Sequence, residues 1–120
     1  MAVPEPTLEA LNVAAQAAAT RQAENVSAVD VADRLGITDA FFFASATTER
    51  QVKSIIEEIE DELREQLELK PIRREGEAEG RWVLLDYGHF VVHVQHEEER
   101  ENYALDRLWA DAPQIELAVE

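Results

Sequence analysis

The sequence predicts an α/β fold of the mixed α+β kind: one domain over residues 1–120, built as a five-stranded mixed sheet flanked by helices. Three observations lead there. Arg81 to His96, RWVLLDYGHFVVHVQH, holds two apolar runs meeting at Asp86-Tyr87-Gly88, and their Val, Leu and Phe residues suit a pleated surface. Two long stretches elsewhere carry apolar residues at spacings of three and four, the period of a helix. No repeat or low-complexity linker interrupts the order helix, strand, strand, helix, strand, strand, strand, helix, so all elements belong to one core. A chain of 120 residues hides roughly two-thirds of its unfolded surface, enough for that core.

The first helix is expected over Thr7 to Glu24, where Leu8, Leu11, Ala15, Ala18 and Ala19 form a narrow stripe that can lie close to a sheet, with Asn25 as its stop. Val26 to Ala32 alternates as a strand and ends in a turn at Asp33-Arg34-Leu35-Gly36. Asp39 to Ser45, DAFFFAS, is apolar on both faces and reads as a strand covered on both sides. Thr48 and Gln51 have the capping-box spacing, in which each side chain satisfies a free backbone N–H of the first helical turn. The second helix follows to about Leu69, with Val52, Ile55, Ile56, Ile59, Leu63 and Leu67 inside. Its outer face carries Glu57, Glu58, Glu60, Asp61, Glu62, Glu65 and Glu68, and Glu60 is spaced to pair with Arg64. Lys70-Pro71 ends it. Ile72 to Glu75 is a short strand, and residues 76–80 form a hairpin loop. After the central hairpin a third helix is expected over Glu97 to Trp109, its inner face formed by Tyr103, Leu108 and Trp109. Ala112-Pro113 breaks it, and Ile115 to Val119 is a loosely packed tail.

Alternation in the central stretch puts Trp82, Leu84 and Asp86 on one face and Val83, Leu85 and Tyr87 on the other. Neither face is simply polar, so the hairpin reads as the buried centre of the sheet, with Asp86 and Tyr87 at its rim.

The bulk numbers narrow the function. Twenty-six acidic against 11 basic residues give a net charge of −15. Such a field repels phosphate backbones and attracts basic proteins, which argues against direct sequence-specific nucleic-acid binding and for a basic protein partner. The same charge also keeps a protein soluble. There is no cysteine, which excludes disulfides, thiolate metal sites and cysteine nucleophiles. Neither a signal peptide nor a membrane span is apparent, so no membrane partner and a cytoplasmic location are expected.

Candidate chemistry is sparse. His89 and His93 are about 13 Å apart along an extended strand, too far for one ion, and His96 lies past the strand's expected end. All three read as half-exposed strand histidines, with no metal or cofactor. A small mixed sheet of this order resembles nucleotidyl transferases, whose chemistry needs two carboxylates two residues apart. Asp86 has Gly88 at that offset, Asp39 has Phe41, and Asp30 and Asp33 are three apart. No catalytic residue is assigned, and an enzyme of that class with an unrecognised site is the alternative reading. What remains is a surface, Trp82 and Tyr87 beside Asp86. Aromatics next to a carboxylate can anchor a partner's Arg or Lys.

These residues resemble a known family. WVLLDYG followed by VVHV resembles the ribosomal silencing factors, the Iojap-like family. So do the flanking segments Pro71 to Gly76, Glu49 to Lys53, Glu99-Arg100, Tyr103 to Leu105 and Leu108 to Pro113. The resemblance runs from about Leu8 to Pro113. It implies a nucleotidyl-transferase-like fold without catalysis, in a protein that binds the large ribosomal subunit through its basic ribosomal protein fourteen. There it would block association with the small subunit and repress translation. Carried over position by position, the partner-binding motif falls on Trp82, Leu84, Leu85, Asp86 and Tyr87. By alternation Leu85 supports the site from behind. The same apolar rim is where a weak homodimer would form. Two positions depart from the family pattern: His89 stands where an acid is usual, and Ala44 to Thr48 where a glycine-bearing turn is common.

Overall fold

A computed structural model describes residues 3–118. In chain order these form α1 (Glu5–Thr20), β1 (Glu24–Asp30), α2 (Ala32–Leu35), β2 (Ala40–Ala46), α3 (Glu49–Leu67), β3 (Arg73–Glu75), β4 (Trp82–Asp86), β5 (Phe90–His96), α4 (Glu97–Tyr103) and α5 (Leu105–Leu108). The strands make the expected five-stranded mixed sheet, in the order β1-β2-β5-β4-β3. β2 and β5 run parallel and every other pair antiparallel. A parallel pair cannot be closed by a hairpin, so the chain leaves β2 through α3 and returns by way of the β3–β4–β5 meander.

Register decides what each strand offers to either side. Ala28, Phe42, Val92, Val94, Val83 and Leu85 face α1 and α3 and form the main core with Leu11, Val52, Ile55, Ile59 and Leu63. Ala10, Ala14, Ala15 and Ala18 of α1 are fully buried, because small side chains let the helix lie close to its neighbours, whereas Leu8 and Ala19 of the expected stripe are half-buried at its margins. On the opposite face Val29, Val31, Phe43 and Ala112 form a smaller cluster, joined by Phe41, Leu105 and Trp109.

Several boundaries differ from the sequence expectation, some set by distant side chains and some by local left-handed turns. α1 stops at Thr20, not Glu24. The Gln51 amide, which the capping-box pattern turns back on Thr48, instead donates to the carbonyls of Arg21 and Gln22 at 3.2 and 3.1 Å and ends α1 there. The other half of the box is present, with the Gln51 N–H donating to Thr48 Oγ1 at 3.1 Å. Asn25, expected as the helix stop, takes a left-handed φ of 52° where the β1–β2 register shifts. The turn at residues 33–36 is a helical turn closed by Gly36. α3 ends at Leu67, because Glu68 turns left-handed and the N–H groups of Glu68 and Leu69 cap its last carbonyls before Pro71 is reached. Glu60 reaches Arg74 of β3 at 2.7 Å, while Arg64 pairs with Asp61 and Glu65. The expected third helix breaks at Ala104, where φ is 49°, into α4 and α5. Of its expected inner face only Trp109 packs inward, whereas Tyr103 and Leu108 are exposed. The tail is not loose: the Asp30 N–H donates to the Pro113 carbonyl and the Ile115 N–H to the Ala28 carbonyl, covering the free edge of β1. Val119, assigned to that tail, lies outside the described residues.

Gly76 holds the β3–β4 hairpin at φ +85°, and a Cβ there would overlap the carbonyl of Trp82. Gly76→Ala is expected to lower the unfolding free energy by about 2 kcal/mol, from left-handed strain and the displaced strand together. Urea denaturation checks this, and an unchanged midpoint would show that the loop re-forms at no cost.

Candidate functional site

β4 carries most of the expected site residues, and the structure divides them between two faces. Trp82, Leu84 and Asp86 point away from α1 and α3 and are each half-buried. Leu85 is fully buried in the main core, as alternation implies. The expectation that the central hairpin is covered on both sides holds for most of β5 but fails for β4, whose outward face is only partly covered.

Tyr87 differs most from the anchoring role expected of it. It is 8% exposed, with its ring stacked on Phe90 at 4.8 Å. Burial pushes its phenol well above the usual range, with the Glu60 carboxylate adding to the effect. It therefore lies behind the strand and presents no ring beside Trp82. The aromatic that does is Tyr103, at 5.0 Å between ring centroids and 59% exposed. Only the path of α4 brings it there. That path is set by Arg81, whose guanidinium contacts Glu98 at 2.9 Å, Glu99 at 3.1 Å and Glu49 at 3.2 Å, tying the start of β4 to the first turns of α3 and α4. The His96 ring completes the α4 cap, its Nδ1 accepting the Glu98 N–H at 3.2 Å.

Together these residues shape a groove of about 570 Å³. Trp82, Leu84 and Tyr103 form its apolar wall, and Glu75, Glu79 and Glu99 its acidic rim. The Trp82 indole N–H donates to Nδ1 of His93 at 3.2 Å. His93 is not half-exposed: it is 5% exposed, stacked on Phe43 at 5.4 Å and edge-on to Phe41 at 5.1 Å. Burial lowers its pKa to about 4, so the ring is neutral at pH 7.

Asp86 lies at the turn end of the same face, where it does two things. One carboxylate oxygen accepts the Gly88 N–H at 2.8 Å and shapes the β4–β5 turn, while the other stands 3.5 Å from the Arg73 guanidinium. Its side chain is 25% exposed, so it remains open to a second cation. His89 sits on that turn, exposed, 3.7 Å from Asp39. The three histidines therefore occupy three separate settings, and no three His, Asp or Glu side chains gather as a metal set among the described residues. A second groove, of about 800 Å³, lies where β2 ends. Arg100 in its wall donates to the Asn25 carbonyl at 2.6 Å, beneath a rim of Glu97, Glu98 and Glu101. No helix among the described residues is long and apolar enough to cross a membrane.

Comparison with known proteins adds a family match. The family described as "ribosomal silencing factor during starvation" (RsfS) matches residues 4–120. A ribosomal silencing factor of Halalkalibacterium halodurans is 41% identical, covering 91% of this chain and 92% of that protein. One of Bacillus subtilis is 39% identical over 89% and 90%. A mouse protein named for mitochondrial assembly of the ribosomal large subunit is 26% identical over 72% of this chain and 39% of its own length. Among solved structures, a Bacillus halodurans protein superposes with a TM-score of 0.78 at 37% identity, covering 91% of this chain and 98% of that one. A Chromobacterium violaceum protein gives 0.82 at 25% identity, covering 100% and 95%.

Proposed function

Because this chain belongs to the ribosomal silencing factor family, a family of ribosome-associated regulators, we propose that it binds the large ribosomal subunit and blocks its association with the small one. The proposed contact is the basic ribosomal protein fourteen of the large subunit, the result is repression of translation in the cytoplasm, and the unit that acts is a single domain over residues 1–120. The action is steric and needs neither catalysis nor a cofactor.

The observation that carries this reading is the outward face of β4. Trp82, Leu84 and the neighbouring Tyr103 offer apolar area bordered by Glu75, Glu79 and the Arg81–Glu99 ion pair, on a chain of net charge −15. An apolar centre with a charged rim is the usual anatomy of a protein–protein contact, and the sign of the charge selects a basic partner. Trp82, Leu84 and Asp86 make the contact, while Leu85 and Tyr87 hold the strand from behind. The large-subunit wording in the mouse relative's name supports the choice of subunit.

The test is sedimentation with purified ribosomes. The protein is expected to travel with isolated large subunits and not with joined ribosomes, and to lower light scattering when subunits are mixed. Equal binding to joined ribosomes would overturn the blocking role. Charge steering adds a prediction: screening shortens from ~10 Å at 0.1 M salt to ~3 Å at 1 M, so salt should slow association far more than it speeds dissociation. Asp86→Asn keeps an acceptor for the Gly88 N–H and removes only the charge. It is expected to weaken binding by about 1–2 kcal/mol, because the carboxylate is partly exposed and shared with Arg73. Surface plasmon resonance against the purified ribosomal protein measures both effects, and an on-rate flat across that salt range contradicts the electrostatic account. A weak homodimer is proposed through the same apolar face, and light scattering that loses the dimer on Trp82→Ala would support it.

A further inference from the structure

We infer that His93 is a positioning residue for Trp82: by accepting the indole N–H at Nδ1, it fixes the orientation in which the indole is presented to a protein partner. The inference rests on the reading of Trp82 as a contact residue. His93 itself is too deeply buried to touch that partner.

Four observations lead to it. The hydrogen bond is present, at 3.2 Å. The acceptor cannot swing away, since Phe43 stacks on the imidazole and Phe41 meets it edge-on. A neutral ring that accepts at Nδ1 carries its proton on Nε2, and Nε2 has no hydrogen-bond partner among the described residues. Phenylalanine would fill this site between two Phe rings without a buried, unpaired N–H, so a polar ring here is costly unless its other nitrogen is used. Its use is Trp82. Finally, Trp82 is half-buried on the groove wall, where an indole held by packing alone keeps several orientations. Fixing it in the free protein removes that ordering cost from binding. Because burial holds His93 neutral at pH 7, its Nδ1 lone pair is always available there.

The experiment follows the indole N–H directly. In the full chain labelled with nitrogen-15, the Trp82 resonance is identified by its loss in Trp82→Phe. Wild type is expected to exchange this proton with water about tenfold more slowly than His93→Phe, while His93→Asn, which can place an oxygen near the position of Nδ1, retains most of the protection. Affinity for isolated large subunits should follow the same order, falling about tenfold in His93→Phe and much less in His93→Asn. An indole proton in wild type that exchanges as fast as in a free indole overturns the inference, even if His93→Phe fails to fold. So does an indole released in His93→Phe with binding unchanged while Trp82→Ala binds poorly, a result that leaves the proposed surface standing. If instead Trp82→Ala binds like wild type, the proposed surface is wrong, and the indole exchange still decides whether His93 holds the ring.

Discussion

Trp82→Ala is expected to weaken binding to isolated large subunits by about 2–4 kcal/mol, roughly 30- to 1,000-fold in dissociation constant. Trp82 is the largest side chain on the groove wall, and two neighbouring rings hold it. His93 takes its N–H and Tyr103 lies 5.0 Å away. An aromatic anchor of this kind, ringed by polar groups that can exclude water once a partner is seated, is where alanine substitution costs most. The loss should appear mainly as faster dissociation, because the carboxylates that steer approach are untouched. Stability should fall by about 1–2 kcal/mol, because Nδ1 of the buried His93 loses its donor, but the fold should persist, since the face of β4 that belongs to the main core is formed by Val83 and Leu85. Sedimentation and surface plasmon resonance on the same variant separate the two effects. Wild-type affinity in a folded Trp82→Ala protein would remove this face from the interface.

Acid should destabilise the protein through His93 specifically. In an unfolded chain the ring titrates near 6.5, and in the folded protein burial lowers this to about 4. The unfolded state therefore binds the proton first as pH falls. The stability that depends on a neutral His93 is complete above about pH 6.5 and is lost progressively toward pH 4, amounting to about 3 kcal/mol over that window. Many carboxylates titrate in the same range, so the quantity to measure is the difference between wild type and His93→Phe. Urea unfolding at pH 7.5 and 4.5 should show the wild type losing about 2–3 kcal/mol relative to the variant. Parallel pH profiles would mean that the imidazole reaches solvent and that its burial has no energetic consequence.

The helices and strands were legible in the sequence because their signals are local. The Phe run of β2 and the Val-rich β5 show their strands by local composition, and the stripe of Val52, Ile55, Ile59 and Leu63 in α3 by its period, all readable without knowing the neighbours. Element ends were not legible where a distant side chain or an unusual local backbone angle sets them. Gln51 stops α1 from across the chain, and the left-handed Ala104 splits a helix that reads as continuous. The site shows the same division. Alternation separates Trp82, Leu84 and Asp86 from Leu85 and Tyr87, whereas adjacency to Asp86 in sequence suggests an anchoring role for Tyr87. In space Tyr87 stacks on Phe90 behind the sheet, and Tyr103 takes the position beside Trp82.

By itself, then, the sequence determined the mixed α/β class, the face on which each residue of β4 falls, the acidic character of the surface and the resemblance to ribosomal silencing factors. Side-chain direction repeats every two residues in a strand, and charge is a sum over composition, so both need only the residues themselves. The tertiary structure alone decided which residues of that face stay open and what completes it. Burial depends on what another element covers: the Arg81 carboxylate contacts at the start of α4 and the packing of Trp109 on Phe41 place the final helices so that His93 is sealed while Trp82 and Leu84 remain accessible. No period along the chain encodes that placement, because it arises from contacts between residues far apart in sequence.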